Sequence, residues 1–328
     1  MRPLARIIIF PALALAVAAC AALPARWRGA PTWWGFVAPW DSASASSLRR
    51  HAAALDAAVT GWIALDSLTG QPRRLFPDTA ARDARVPRMA IVTTFLGDRF
   101  HPLAIRQLAA DPRALARAAG TIATFASESR YAGLILDFET LAPSDVAALV
   151  RVADAIADSA HAHDVSPVAI AIPANDTAAY PAAPLLAAVD LAVVMLYDEH
   201  WTSSPPGPIA SPDWVRRALG ARVAEVGAGK LVAGLPLYGY RWRTDHVTDV
   251  VSYDEAERIV GAAGLRLERE PSSGTLHARR TDDPNNEWEL WVSDADLLRT
   301  LMTVAQDAGV RRFALWRLGG EDARIWSR

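Results

Sequence analysis

The amino-acid sequence predicts an α/β fold, a (β/α)8 barrel of the TIM type with a small α+β insertion between strand 7 and strand 8. From residue 33 onward, short apolar runs of strand type alternate with longer alanine-rich stretches of helical period, the pattern of βα units around a parallel sheet. Eight such runs occur, and eight parallel strands with their helices close into a barrel of about 250 residues. A chain of 328 residues is long enough for one barrel with an insertion.

The predicted strands are separated by predicted helices, three of which begin at Ser or Asp, residues that cap helix N-termini. The strands are Trp34–Pro39, Gly61–Leu65, Arg88–Phe95, Gly133–Glu139, Pro167–Pro173, Leu191–Asp198, Leu231–Tyr238 and Arg312–Trp316. The helices between them include Ser46–Ala58, Pro112–Ser129, Ser144–His163 and Asp213–Val226.

The alternation breaks between the last two strands, where residues 243–293 are predicted to form the inserted lobe. A predicted helix, Tyr253–Ala263, precedes three alternating segments that are separated by turns rich in Pro, Gly, Asp and Asn. These segments are Leu265–Arg269, Thr275–Arg279 and Glu287–Trp291, and a helix over Asp294–Ala308 returns to the barrel. We therefore expect an N-terminal segment, residues 1–23, and a barrel of residues 30–328 that carries the lobe.

Residues 1–23 have the pattern of an export signal. Two arginines precede an uncharged stretch, Ile7–Leu23, which is marginal for the ~20 apolar residues of a membrane-spanning helix. The single cysteine, Cys20, ends a Val-Ala-Ala-Cys sequence that resembles the lipobox of bacterial lipoproteins, in which the Cys is acylated. A lipidated Cys20, an uncleaved anchor and an ordinary cleaved signal all stay open. All three place the folded part outside the cytoplasm, in the bacterial cell envelope, with membrane contact only through this segment.

The composition excludes several classes of protein. With 52% hydrophobic and 21% charged residues, the chain must form a core and is not disordered. Its 34 basic and 36 acidic residues create no basic surface for nucleic acid, so we expect no nucleic-acid partner. Its 12 Trp residues are more numerous than either its 8 Phe or its 6 Tyr residues. Tryptophan rings either fill a core or stack on the flat apolar faces of a ligand. We expect the protein to be a monomer.

Polar residues that end apolar strands are the candidates for chemistry, because the active site of such a barrel lies at the C-terminal ends of its strands. Strand four reads Gly-Leu-Ile-Leu-Asp-Phe-Glu, and alternation places Asp137 and Glu139 on one face, roughly 6–7 Å apart along the strand. Two like charges there raise at least one pKa and favour a protonated acid at neutral pH. From the spacing alone, either carboxylate could instead cap a helix or pair with an arginine.

Hydroxyl, carboxyl and aromatic side chains also follow other strands, where a sugar or a nucleobase could stack. They are Trp40 after strand one, Tyr197, Asp198 and Trp201 after strand six, Tyr238 and Trp242 after strand seven, and Trp316 at the end of strand eight. We do not expect all of these side chains to serve packing alone. The barrel mouth is therefore the predicted binding site.

Strand four resembles the DxxDxDxE signature of glycoside hydrolase family 18, the chitinase-like barrels. Met195-Leu196-Tyr197-Asp198 is similar to the MxYD motif on that family's sixth strand, and Trp316 lies where the family has an eighth-strand Trp. The tract from Tyr197 to Ser211 resembles spore-cortex lytic enzymes and the hydrolase domains joined to polysaccharide deacetylases and glycosyltransferases. The resemblance covers residues 33–326.

This resemblance implies a glycosidase that acts on β-linked N-acetylglucosamine in a polysaccharide by substrate-assisted retaining catalysis, without the usual second carboxylate nucleophile. It implies that Glu139 is the general acid, that Asp137 orients the 2-acetamido group, and that Tyr197 hydrogen-bonds the acetamido carbonyl. The expected substrate-binding residues are Asp198, Trp316, Trp201, Tyr238, Trp40 and Trp242. The placement of both carboxylates on one strand supports this mechanism, because a conventional retaining pair flanks the anomeric carbon with carboxyl groups ~5–5.5 Å apart.

Two positions depart from the signature, since Ala132 and Ile135 stand where the family has Asp. The inner Asp, at Ile135, would share a proton with Asp137. We therefore expect Asp137 to stay ionised in one orientation, and the reaction to be slower or to depend differently on pH. The alternative function is a catalytically weak or inactive carbohydrate-binding barrel.

No metal ion or cofactor is expected. The seven histidines lack metal-ligand spacing, the Asp-rich turn near residue 283 lacks the calcium-loop pattern, and no glycine-rich phosphate loop follows a strand. Among the remaining tryptophans, we expect Trp288 and Trp291 in a cleft wall and Trp62 and Trp214 in ordinary packing. The sequence does not decide which polysaccharide is the substrate: peptidoglycan, a chitin-like polymer or an exopolysaccharide.

Overall fold

The computed structural model describes residues 31–78, 85–245, 247–283 and 286–327. Its centre is a closed barrel of eight parallel strands, in which each strand pairs with the next and the eighth pairs with the first. The strands are β1 (Thr32–Phe36), β2 (Ala57–Leu65), β3 (Arg88–Thr93), β4 (Gly133–Asp137), β5 (Val168–Pro173), β6 (Leu191–Met195), β7 (Leu231–Pro236) and β8 (Arg312–Trp316). The predicted fold class is confirmed.

The predicted export segment and Cys20 lie outside the described residues, so the export and lipidation hypotheses stay predictions. Among the residues that are described, no helix has the length and apolar character needed to cross a membrane.

Helices surround the barrel and cover its outer face. They are α1 (Ser42–His51), α2 (Pro102–Ala110), α3 (Pro112–Glu128), α4 (Val146–His161), α5 (Ala182–Ala188), α6 (Pro212–Val226) and α8 (Ala295–Asp307). A further helix, α7 (Tyr253–Ala262), belongs to the insertion. A short strand, Pro72–Arg74, pairs antiparallel with β2.

The predicted helix Ser46–Ala58 has wrong boundaries. Helix α1 begins four residues earlier, because the Asp41 side chain accepts a hydrogen bond from Ala43 N and caps it. It ends at His51, and Ala57 and Ala58 belong to β2, where both are fully buried beside β1. Alanine favours helices, but burial between barrel strands overrides that propensity here.

Two apolar layers form the core. One lies between the strands and the helices, and it receives Leu134 and Leu136 of β4. The other fills the barrel interior and receives Ile135 of the same strand. Because side chains alternate along a strand, Asp137 follows Ile135 on the inner face and lies at the mouth of the barrel.

The insertion is a five-stranded antiparallel sheet with one helix, α7. Its strand order is Thr248–Val251, Gly239–Arg243, Trp288–Val292, Leu276–Arg280 and Glu268–Arg269. The lobe has an apolar core of its own, which includes Val251, Val260 and Leu290. Its strand Gly239–Arg243 closely follows β7, so the lobe stands at the C-terminal mouth of the barrel.

Candidate active site

A cavity of about 290 Å³ opens at the C-terminal mouth of the barrel. Six of the predicted site residues line it together: Trp40, Asp137, Glu139, Tyr197, Asp198 and Trp316. A larger concavity of about 580 Å³ lies between the lobe sheet and residues 202–206, and none of these six residues lines it. The chemistry-bearing side chains therefore converge in the smaller cavity.

Asp137, which is buried, and Glu139, which is half-buried, form a hydrogen-bonded pair of carboxyl groups at the end of β4. Asp137 is 8% exposed, and its Oδ2 accepts a hydrogen bond of 3.0 Å from Thr93 Oγ1. Burial raises the pKa of Asp137, and hydrogen bonds from Thr93 and Glu139 oppose that rise. Burial also raises the pKa of Glu139, and the negative charge of Asp137 raises it further. Asp137 therefore ionises first, and Glu139 keeps its proton at neutral pH.

Asp198 is a third carboxyl group, and the lobe side of the site holds it in place. Its φ of 60° lies in the left-handed region, which Asp tolerates better than most residues. The hydroxyl groups of Tyr238 and Tyr240 both donate to Asp198 Oδ1, the second at 3.0 Å. Burial raises the pKa of Asp198, and these two hydrogen bonds oppose that rise.

Aromatic rings form one wall and the rim of the cavity. Tyr197 stacks parallel to Trp316, with ring centroids 6.5 Å apart. Burial and the nearby carboxylates raise the pKa of Tyr197 far above its usual value, so its hydroxyl stays protonated and can donate. Trp40 is 56% exposed at the rim, where it contacts Trp62 and Phe76.

A second cavity, of about 350 Å³, lies beyond Glu139. It shares Glu139, Met195, Tyr197 and Asp198 with the first cavity, so these residues stand between the two. Trp201, which is 50% exposed, lines the second cavity together with Trp214. The carboxyl pair thus lies partway along a longer cleft with exposed tryptophans on both sides.

Two of the predicted substrate-binding residues line neither of these cavities. Tyr238 is 6% exposed and reaches the site through Asp198. Trp242 is 8% exposed, and its Nε1 donates to the backbone oxygen of Trp201 at 3.3 Å. Their geometry is that of side chains that hold other site residues in place.

Thr93 and Tyr240 were not among the predicted site residues. Trp62 and Trp214 were expected in ordinary packing, and each of them lines a cavity. Trp62 lines the first cavity while its Nε1 donates to Val37 O at 3.1 Å. Thr93 ends an apolar strand, so the rule that found the carboxylates could have found its hydroxyl. Trp291, expected in a cleft wall, packs with Tyr238, Tyr240 and Trp242, and Trp288 lines the 580 Å³ concavity.

Within the described part of the chain, no group of three or more His, Cys, Asp or Glu side chains is placed to hold a metal ion.

The chain is similar in sequence to a glycosylase and in fold to chitinases. No protein-family model matches the chain. The chain is 23% identical over 302 residues to an uncharacterized glycosylase, YvbX, of Bacillus subtilis. The aligned part covers 87% of this chain and 87% of that protein.

Three solved structures have the same fold. A class V chitinase from Pseudomonas fluorescens has a TM-score of 0.81 and 25% identity, over 91% of this chain and 98% of that one. The spore cortex-lytic enzyme SleL of Bacillus megaterium has a TM-score of 0.80 and 16% identity, over 90% of this chain and 72% of that one. A GH18 chitinase from Cycas revoluta, solved with (GlcNAc)3, has a TM-score of 0.73 and 16% identity, over 90% and 97%. The resemblance to glycoside hydrolase family 18 is thereby confirmed.

Proposed function

We propose that this glycosidase, a barrel of the family 18 type, cleaves β-linked N-acetylglucosamine in a polysaccharide and uses Glu139 as its general acid. The observation that carries the proposal is the hydrogen-bonded carboxyl pair, in which burial and the charge of Asp137 raise the pKa of Glu139. A carboxylic acid that holds its proton at neutral pH can deliver it to a leaving oxygen.

The nucleophile in this proposal belongs to the substrate. Asp137 ends β4 and Glu139 lies two residues beyond it, and the third carboxyl group of the cavity, Asp198, accepts hydrogen bonds from two tyrosine hydroxyls. The carbonyl oxygen of the 2-acetamido group would attack the anomeric carbon while Glu139 protonates the departing glycosidic oxygen. The C–O bond to the leaving sugar breaks as an oxazolinium ring forms.

The surrounding groups suit the charges of that step. The Asp137 carboxylate would accept the acetamido N–H and stabilise the positive charge on the ring. The Tyr197 hydroxyl would donate to the acetamido oxygen, which positions it for attack. Water would then open the ring from the face the leaving group vacated, giving its proton to the Glu139 carboxylate and restoring the acid. Attack twice at one carbon retains the β configuration.

The aromatic residues would orient the saccharide along the cleft. Trp316 would lie beneath the reacting ring, and Trp40 would contact the polymer at the rim of the same cavity. Trp201 would contact the sugar on the far side of Glu139, which is the leaving side. Asp198 Oδ1 is occupied by Tyr238 and Tyr240, so we expect its Oδ2 to accept from a sugar hydroxyl.

We further propose that the substrate is a cell-envelope polymer and that the enzyme acts outside the cytoplasm. The export pattern of residues 1–23 supports this location, and one structural neighbour is a spore cortex-lytic enzyme. Anchoring through Cys20 would hold a monomeric barrel near its polymer.

The test is incubation of the parent and of Glu139→Gln with N-acetylglucosamine oligomers and with purified peptidoglycan. We expect the parent to release products of β configuration, and Glu139→Gln to lose a factor of about 10² to 10⁴ in rate. Products of α configuration would rule out the acetamido mechanism. Binding of the oligomers without turnover by the parent would favour the carbohydrate-binding barrel.

A further inference from the structure

The end of β3 supplies a buried hydroxyl group to the carboxyl pair. Thr93 and Asp137 are register partners on neighbouring strands, and Thr93 is completely buried. Its Oγ1 lies 3.0 Å from Asp137 Oδ2. This contact joins two barrel strands at the centre of the site.

A second hydrogen bond fixes the direction of the first. The backbone N–H of Phe95 donates to Thr93 Oγ1 at 3.0 Å. A hydroxyl group carries one hydrogen, and a backbone N–H can only donate, so the Thr93 hydrogen is left for Asp137. Asp137 Oδ2 accepts this hydrogen bond, which is strongest when the carboxyl group is ionised.

The other surroundings of Asp137 give its charge no comparable support. Ile91 and Ile135, both buried, line the same cavity as Asp137. Besides Thr93, Glu139 is the side chain that donates a hydrogen bond to Asp137. Among the described residues, the other titratable neighbours are Tyr180 and Tyr197, whose pKa values the charge of Asp137 raises, and Asp198, whose charge raises the pKa of Glu139. None of these groups is a cation.

We propose that Thr93 is a positioning residue, whose hydroxyl group holds Asp137 ionised and in the one orientation that faces Glu139. The role of Asp137 toward the acetamido group rests on the proposed function, but the positioning of its carboxylate does not. The Phe95 N–H, the Thr93 hydroxyl and Asp137 form a chain of donors that ends on the carboxylate. With an apolar Ile135 beneath it, Asp137 depends on this chain for its orientation.

The variant Thr93→Val keeps the shape of the side chain and removes the hydroxyl group, whereas Thr93→Ser keeps the hydroxyl group. Loss of a hydrogen bond to a charged acceptor should raise the pKa of Asp137 by about one to two pH units in Thr93→Val and leave it near the parent value in Thr93→Ser. The control is Thr94→Val, because Thr94 is equally buried and its Oγ1 has no hydrogen-bond partner among the described residues.

The first measurement needs no turnover. Carboxyl ¹³C NMR titration, with the Asp137 signal assigned from Asp137→Asn, compares the parent with the three variants. A higher pKa in Thr93→Val alone supports the proposal. An unchanged Asp137 titration in a folded Thr93→Val, or an equal change in Thr94→Val, overturns it.

The second measurement is the pH profile of kcat/KM on an N-acetylglucosamine oligomer. Because Asp137 must be ionised, a higher pKa moves the acidic limb of the Thr93→Val profile to higher pH by the same one to two pH units. Thr93→Ser should restore the parent profile, which a purely structural role would not require. If the titration changes as expected while no variant, nor the parent, turns over substrate, the positioning stands and the proposed function fails.

Discussion

At the scale of single residues, the proposed mechanism makes the two carboxyl groups at the end of β4 responsible for the pH dependence. The proposed reaction requires an ionised Asp137 and a protonated Glu139, and burial raises the pKa of both. We expect a bell-shaped profile of kcat/KM, lost at low pH as Asp137 gains a proton and lost at high pH as Glu139 releases its proton. Both limbs should lie above the ordinary carboxyl range of about 4.

The variant Asp137→Asn tests the origin of the basic limb. The charge of Asp137 is one of the causes that raise the pKa of Glu139, so removing it should move the basic limb to lower pH. Residual turnover of an N-acetylglucosamine oligomer, whose leaving oxygen needs the proton of Glu139, measures that limb across a pH series. A basic limb at the parent position would mean that burial alone keeps Glu139 protonated.

Ile135 is the residue that most distinguishes this site from the family signature. In Ile135→Asp, a carboxyl group would lie in the apolar layer under Asp137, where its charge raises the pKa of Asp137 and moves the acidic limb to higher pH. Burying the new group should also lower the free energy of unfolding by about 2 kcal/mol or more. Denaturant melts and pH profiles measure the two effects.

Ile135→Val is the matched control for that prediction. It removes one methylene group, which costs about 0.5–1.5 kcal/mol of stability and adds no charge, so its pH profile should match the parent. Identical profiles for the parent and Ile135→Asp would contradict an influence of this position on the ionisation of Asp137.

At the scale of elements, the segment between β6 and α6 lines the second cavity, which the proposed function makes the leaving side of the cleft. Trp201 lies on this segment and is half exposed, so a sugar that covers its ring removes apolar surface from water. We expect Trp201→Ala to raise KM for longer oligomers roughly tenfold, which corresponds to about 1.4 kcal/mol. An aryl glycoside without a sugar on the leaving side should keep its KM.

Trp40→Ala is the contrasting variant, because Trp40 lies on the other side of the carboxyl pair. It should weaken binding of oligomers that extend from the Trp316 side and leave the sugar beyond Glu139 unaffected. An equal loss of affinity in Trp40→Ala and Trp201→Ala for every substrate would contradict the placement of the two tryptophans on opposite sides of the carboxyl pair.

The elements also show what a sequence pattern can and cannot predict. Asp137, Glu139, Tyr197 and Asp198 were predictable because a polar group after an apolar run marks the end of a barrel strand. The boundaries of α1 were not, because the same alanines suit a helix and a buried strand, and only packing beside β1 decides between them. The hydroxyl group of Thr93 was overlooked because threonine is common in strands for reasons unrelated to chemistry.

At the scale of the whole molecule, the lobe and the barrel meet at the active site. The lobe strand that begins at Gly239 passes so close to its neighbour that a Cβ there would lie 2.2 Å from the backbone oxygen of Trp291. Gly239→Ala should therefore displace this strand, with Tyr240 and the adjacent Tyr238, and release Asp198. We expect a loss of about 1–3 kcal/mol in stability and a drop in kcat/KM.

Gly120→Ala is the control for that substitution. Gly120 lies within α3, and an added Cβ meets no atom within 4 Å, so helix propensity should leave the protein equally or slightly more stable. Thermal melts and kinetics of both variants measure the difference. Full activity of Gly239→Ala would show that the lobe does not hold Asp198 in its working position.

The contacts between lobe and barrel were beyond prediction from the sequence. The alternating segments predicted the strands of the lobe, but nothing in their spacing placed the Tyr238 and Tyr240 hydroxyls on Asp198, which is about 40 positions earlier in the chain. That contact depends on how the barrel and the lobe sheet are oriented toward each other. Trp62 and Trp214 show the same limit, since a ring can pack in a core and line a cavity at once.

The apolar layer beneath the carboxyl pair also decides how the site exchanges protons with the solvent. Ile91, Ile135, Ala171 and Val193 close the barrel below Asp137, and each is at least nine-tenths buried. In the proposed mechanism, Glu139 would therefore exchange its proton with the solvent through the open mouth, the same passage that the saccharide would occupy. An enzyme molecule with a bound polymer would have to use the proton that Glu139 already holds, and the next proton would come from the water that completes the reaction.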